Sequence, residues 1–305
     1  MSAGVNELAR LAAAVERLTG ADGAYPTPVP GLTLHRASRP TGPQAVVYEP
    51  VLAIVAQGGK EVVLAGKKYR YDAAHSLLVS VDVPVTARVA EASPDRPCLV
   101  IRLAINPAVV GELLADGAPA GLSGPPDLAL GVCPVEPPLL DAVTRLVSLI
   151  DCPRDVPILS QLALREITYR VLTGPQGPRL RQIAAAGAPA HRIAAAVRWL
   201  RDHLADPLRV EALARKVGMS VSAFHLHFKH VTTLSPLQYL KRLRLQEARK
   251  LMVAEGLDAA EAGFRVGYES PSQFGREYRR MFGQSPYRDV AAVRVESLPA
   301  GHVGV

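Results

Sequence analysis

Disulfides, zinc ribbons and membrane spans are the first things this 305-residue sequence lacks the means to build. Its three cysteines (Cys98, Cys133, Cys152) are an odd number without motif spacing, which argues against a disulfide framework and fits a reducing cytosol. No run of about 18 uncharged apolar residues occurs, so no membrane span is expected. The opening "MSAGVNELARLAAAVERL" has helical rather than continuous apolar spacing and carries Glu7, Arg10, Glu16 and Arg17, so no signal peptide is expected and the protein is placed in the cytoplasm. Nucleophile motifs and phosphate loops are missing as well. The glycines of "AQGGKEVVLAGKK" read as two hairpin turns. No cofactor or metal is implied.

What is present is a globular composition, 49% apolar and 21% charged, long enough for two domains. The net charge of +7 is unevenly placed: residues 1–186 hold 17 Lys+Arg against 17 Asp+Glu, and 187–305 hold 18 against 11. A neutral front and a basic back imply that only the back half meets a polyanion.

After a first helix, residues 32–104 read as short antiparallel strands ("AVVYEPVLAIVAQ", "KEVVLAGKKYRY", "HSLLVSVDVPVTARVA", "CLVIRLAI") joined by tight turns, the pattern of a small barrel or jelly roll. From Pro107 the period becomes helical. In "PVEPPLLDAVTRLVSLID" the residues Leu139, Leu140, Val143, Leu146, Val147 and Ile150 form one apolar stripe. The next helix, 156–172, is apolar on more than one side, which suits either burial in its own domain or a dimer contact. "TGPQGP" (173–178) marks the domain boundary, with a short helix in "RLRQIAAAGAPA" before the basic domain begins near His191.

The basic domain repeats itself. "VGMSVSAFHLHFKHVTTLSP" (217–236) aligns with "VGYESPSQFGREYRRMFGQSP" (266–286), pairing Phe224 with Phe274, Phe228 with Tyr278, Lys229 with Arg279 and Ser235-Pro236 with Ser285-Pro286. In each unit a short helix ends at a glycine, Ser220 or Ser270 caps the next helix, and Ser-Pro starts the one after. Helix, glycine turn, helix is a helix-turn-helix, whose second helix enters the DNA major groove. At about 100° per residue, Phe224 and Phe228 share the buried side, opposite Ser222, His225, Leu226 and Lys229. Phe274 and Tyr278 are buried likewise, which turns Ser272, Gly275, Arg276 and Arg279 outward. His225 and His227 point about 200° apart, so they cannot share a metal ion. Between the units "SPLQYLKRLRLQEARKLMV" (235–253) forms a basic connector helix. Its length of roughly 28 Å is close to the ~34 Å repeat of B-DNA.

Residues 190–291 resemble the AraC family of transcription regulators, on the paired helix-turn-helix, the basic connector and the closing "GYESPSQFGREYRRMFGQSPYRD". Residues 25–175 are similar, more loosely, to the cupin-like effector and dimerisation domain of one AraC subgroup. The resemblance implies an α+β chain. A cupin-like antiparallel β-barrel with flanking helices (1–175) would lead through a linker (176–190) to an all-α double helix-turn-helix domain (191–305), with units at about 208–232 and 257–282 joined by a long linker helix. Carried over by position, the base-reading sites fall on Ser222, His225 and Leu226 and on Ser272, Gln273, Gly275 and Arg276. Leu226 departs from the long polar side chain that many relatives place there. It can touch a thymine methyl but cannot make a bidentate contact to guanine, as Arg276 can. Lys229, Lys241, Arg249 and Arg279 are the expected phosphate contacts.

The implied partners are double-stranded DNA, a small-molecule effector, a second copy of the chain and RNA polymerase. Pocket residues for the effector are sought among His35, Tyr48, Tyr69, Tyr71, His75 and Cys98, with tyrosines at strand ends on the surface as the plainer reading. Cys98 is either an electrophile sensor or a small buried hydrophobe. A cupin-type enzyme is not expected, because only His35 and His75 fall in the strand region and neither belongs to a His-x-His motif. An architectural DNA-binding protein with a purely dimerising first domain remains the alternative.

Overall fold

The computed structural model of the chain describes residues 2–118, 129–184 and 189–297. The chain divides into two compact units, Met1–Ala195 with Leu226–Thr233, and Ala196–His225 with Leu234–Val305. Residues 185–188 of the expected linker lie outside the described residues.

In the first unit, helix α1 (Ser2–Leu18) precedes nine strands: β1 (Gly23–Pro26), β2 (Leu32–Ala37), β3 (Gln44–Tyr48), β4 (Val51–Gln57), β5 (Gly59–Leu64), β6 (Lys67–Asp72), β7 (His75–Val79), β8 (Val83–Glu91) and β9 (Cys98–Ala104). Helix α2 (Pro107–Ala115), strand β10 (Leu130–Pro134) and helices α3 (Pro137–Ser148), α4 (Val156–Thr173) and α5 (Gly177–Ala184) follow. The strand-rich, cupin-like half is thus antiparallel, as two sheets ordered β1-β2-β9-β4-β7-β10 and β3-β8-β5-β6 rather than one closed cylinder.

Period-two alternation explains how the first sheet is used. Leu52 and Ile54 of β4 and Leu99, Ile101 and Leu103 of β9 join Leu11 and Val15 of α1 and the apolar stripe of α3 in one core. The opposite face of β9 therefore carries Cys98, Val100 and Arg102. Strand β4 is buried from Val51 through Ala56, so both of its faces are covered, which is why its sequence is a continuous apolar run. Helix α4 buries Ala163, Ile167 and Val171 and leaves Ile158 (69%), Leu159 (42%) and Leu162 (61%) exposed.

Among the described residues seven helices follow: α6 (Pro189–Asp202), α7 (Val210–Lys216), α8 (Val221–Thr232), α9 (Pro236–Ala254), α10 (Ala259–Arg265), α11 (Pro271–Phe282) and α12 (Pro286–Ser297). The connector is α9, 19 residues long, started by Pro236 and closed at its front by a capping box between Ser235 and Gln238. Gly218 (φ 67°) and Gly267 (φ 88°) both turn left-handed after their short helices. At Gly267 the need is double, because a Cβ would come within 2.5 Å of the Ala205 carbonyl oxygen.

Candidate nucleic-acid interface

Each second helix is set by a serine and a pair of rings. The Ser220 hydroxyl accepts from the Ala223 amide at 3.3 Å, and Ser270 accepts from the Gln273 amide at 3.4 Å, so each fixes the first turn of α8 or α11. Phe224, Phe228, Phe274 and Tyr278 are fully buried. In α11 these rings join a core with Tyr268, Val266 and Leu245, where Tyr268 and Phe274 meet edge to face at 5.3 Å.

Burying those rings leaves the other face in water. Ser222, His225, Leu226 and Lys229 on α8 are exposed, with Leu226 at 68%, and so are Ser272, Gln273, Arg276 and Arg279 on α11. Among the described residues none of Lys229, Arg276 and Arg279 has a carboxylate within ion-pair distance, so their charge is available to a polyanion. His225 is exposed and His227 half-buried, on different sides of the helix. A Cβ at Gly275 would meet nothing within 4 Å, so this glycine is not needed for packing within the protein. Gly275→Ala is expected to raise thermal stability by about 0.5–1 kcal/mol through helix propensity and to weaken DNA binding by crowding a close-approach point. Thermal unfolding beside fluorescence anisotropy checks both. Unchanged DNA affinity would remove Gly275 from the interface.

Two residues expected at phosphates are committed elsewhere. The Arg249 guanidinium donates from Nε and Nη2 to Asp289 at 2.7 and 3.0 Å, half-buried, and Tyr278 donates to the same carboxylate at 2.7 Å. Arg249 is thus a tie between α9 and α12. Lys241 donates to Glu277 at 2.6 Å, and Tyr268 and Gln273 donate to the same carboxylate at 2.8 and 3.3 Å. Burial would raise the Glu277 pKa, but the Lys241, Tyr268 and Gln273 bonds hold it below the usual carboxylate value. Lys241 therefore fastens α11 to α9, and its charge is already matched.

Arg244 of α9 is a basic residue that helical periodicity alone does not single out. Half-buried, it donates to three backbone carbonyls: Leu204 at 2.7 Å, Gly267 at 2.9 Å and Asp206 at 2.9 Å. The first and last precede α7 and the second follows α10, so one guanidinium ties the approach to the first helix-turn-helix to the turn of the second.

In the strand unit, alternation brings part of the expected pocket set together. Tyr48 and Tyr71 are buried, not surface residues at strand ends, and Tyr71 is raised well above the ordinary phenol value, first by burial and then by Tyr48 beside it. Cys98 is buried, and burial raises its pKa, which favours the thiol over the thiolate. The Tyr69 hydroxyl and His35 Nε2 are buried with no hydrogen-bond partner. His75 lies 2.5 Å from Asp72 at the β6–β7 turn, with a hydrogen-bond partner of its own.

Burial first, then Arg102 and Lys60, lowers His35 to about 4. The unfolded chain, with an ordinary imidazole near 6.5, therefore takes up the proton first as pH falls. Stability from neutral His35 is complete above about pH 6.5 and is lost between there and about pH 4, roughly 3 kcal/mol in all. Urea unfolding between pH 7.5 and 4.5 should show a shallower loss in His35→Gln, and an identical pH slope contradicts this assignment.

Comparison with known proteins follows the same division. Residues 28–179 match a family model described as the AraC-type transcriptional regulator N-terminus, and 213–289 match one described as a helix-turn-helix domain. The HTH-type transcriptional activator RhaS of Escherichia coli is 35% identical over 101 residues, 33% of this chain and 36% of its own length. The match thus spans about a third of those curated relatives. Among solved structures, ToxT of Vibrio cholerae shares the fold at 11% identity with a TM-score of 0.55. That likeness covers 86% of this chain and 97% of ToxT. A ToxT structure with an unsaturated fatty acid bound matches at the same TM-score of 0.55 and covers 89% of this chain and 96% of that one.

Proposed function

Since the chain belongs to the AraC family of transcriptional regulators and carries its DNA-binding helix-turn-helix domain, we propose that it reads a specific operator with α8 and α11 and that a small molecule in its strand unit modulates this binding. The carrying observation is the exposed pair of helix faces, Ser222, His225 and Leu226 with Lys229, and Ser272, Gln273, Gly275 and Arg276 with Arg279, one on each side of a connector of suitable length. In this reading residues 1–175 bind effector and dimerise, 176–190 link, and 191–305 bind DNA. Selection of bound DNA sequences with and without a panel of small metabolites tests it. A motif whose occupancy changes with one compound supports regulation, whereas a motif indifferent to all of them favours the architectural alternative.

An effector is supported by the inward polar groups of the strands and by the fatty-acid complex of ToxT, a protein of the same fold. A second copy is supported by α4, whose exposed Ile158, Leu159 and Leu162 make a self-complementary face by two-fold symmetry. Leu162→Glu is expected to weaken self-association at least about tenfold in analytical ultracentrifugation. An unchanged association constant would move the dimer contact off α4. RNA polymerase is a further partner on this reading, to be sought at a promoter the protein activates.

A further inference from the structure

Among the described residues, two cations of the strand unit, Arg102 and Lys60, have no carboxylate within ion-pair distance. In β9, alternate residues enter the core shared with α1 and α3, so Arg102 points with Cys98 and Val100 to the other side of the sheet. Register places His35 of β2 opposite Val100, diagonal to both Cys98 and Arg102. From the second sheet come Lys60 and Tyr71, which are paired across β5 and β6, and Tyr48, whose ring lies 5.4 Å from the Arg102 guanidinium carbon. The electrostatic neighbours agree. Arg102 and Lys60 act on His35, Arg102 and Tyr48 act on Tyr71, and Lys60 acts on Cys98.

The carboxylates on the strands around this cluster are occupied. Glu91 pairs with Arg70, Glu61 with Arg88 and Asp72 with His75, and none reaches Arg102 or Lys60. Both cations are half-buried, and positive charge that no neighbouring carboxylate matches attracts an anion from solution. The buried His35 Nε2 and Tyr69 hydroxyl, both without partners, add hydrogen-bonding capacity.

We propose that the inner face of the strand unit around Arg102 and Lys60 binds a small organic carboxylate, which is the effector class of this regulator. The planar guanidinium fork matches a carboxylate in two parallel hydrogen bonds, and Lys60 adds a second positive charge. This inference rests on the effector reading of the strand unit and names its chemistry.

Calorimetric titration of the full chain with benzoate and octanoate, with benzamide and octanamide as neutral counterparts and with inorganic phosphate, tests it. One acid is expected to bind at one site per chain, at least about tenfold tighter than its amide and than phosphate. Arg102→Met and Lys60→Met should each lose about tenfold or more of that affinity, and Arg102→Lys should keep part of it, which separates loss of charge from loss of fold. Amides binding as well as the acids, affinity unchanged in Arg102→Met and Lys60→Met, or no binding of either acid would each overturn the proposal. Anisotropy with a selected operator separates the two readings. Arg102-dependent acid binding that leaves DNA affinity unchanged upholds the site and removes effector control, and a neutral compound that changes DNA affinity through the same strands does the reverse.

Discussion

Arg276→Ala is expected to relax base preference at one operator position at a cost of about 1–3 kcal/mol, with other positions read as before. Arg276 stands on the outward face of α11, exposed and, among the described residues, without an ion-pair partner, while Phe274 and Tyr278 hold the opposite face in the core. Its guanidinium can reach O6 and N7 of a guanine together, a geometry no other base offers in the major groove. On the proposed reading the matching position on α8 is Leu226, 68% exposed and apolar, limited to contact with a thymine methyl. Specificity is then expected to be weighted to the second helix. The contrast is Lys229→Ala, which should weaken all sequences alike and lower the slope of log affinity against log salt by about one. Binding-site selection on both variants, with affinities at several salt concentrations, separates the roles. A selected motif unchanged in Arg276→Ala contradicts the base contact.

Arg244→Met carries the second large expectation, a loss of about 3 kcal/mol in stability with weakened DNA binding through misplacement of the recognition helices. Methionine keeps much of the stem volume and removes the three donors that satisfy Leu204, Asp206 and Gly267. Hydrogen bonds from a charged donor are each stronger than neutral ones, and those to Leu204 and Gly267 are partly buried while that to Asp206 is exposed. The loss should appear in affinity for two-helix sites more than in binding to a half-site read by α8 alone. Arg244→Lys restores charge but not the three-way fork, so it should recover only part of the loss. If Arg244→Met unfolds and binds like the parent, the brace has no energetic role.

These residues show what the sequence exposes and what it hides. The helices of the second half were legible because rings and glycines recur at fixed spacing in two copies, and Ser-Pro marks where helices begin. On α9 every basic residue looks alike in sequence, since periodicity assigns a face but not a partner. Arg249, Arg244 and Lys241 find theirs at Asp289, Gly267 and Glu277, 23 to 40 residues away. In the strands, alternation was readable but sheet order was not, because β2 joins β9 across sixty residues of intervening chain. Tyrosines and histidines therefore drew attention as pocket groups. Arg102, the lone charge inside the apolar run "CLVIRLA", is the sequence signal for the proposed anion site.

The most direct measurement of the central claim is unbiased selection of bound DNA by the full chain, followed by hydroxyl-radical footprinting of the selected site. Two reading helices joined by a 19-residue connector predict a motif of two blocks about one helical turn, ~10 base pairs, apart on one face of the duplex, the more constrained block belonging to α11. A single short block, or a footprint without sequence preference, would contradict it.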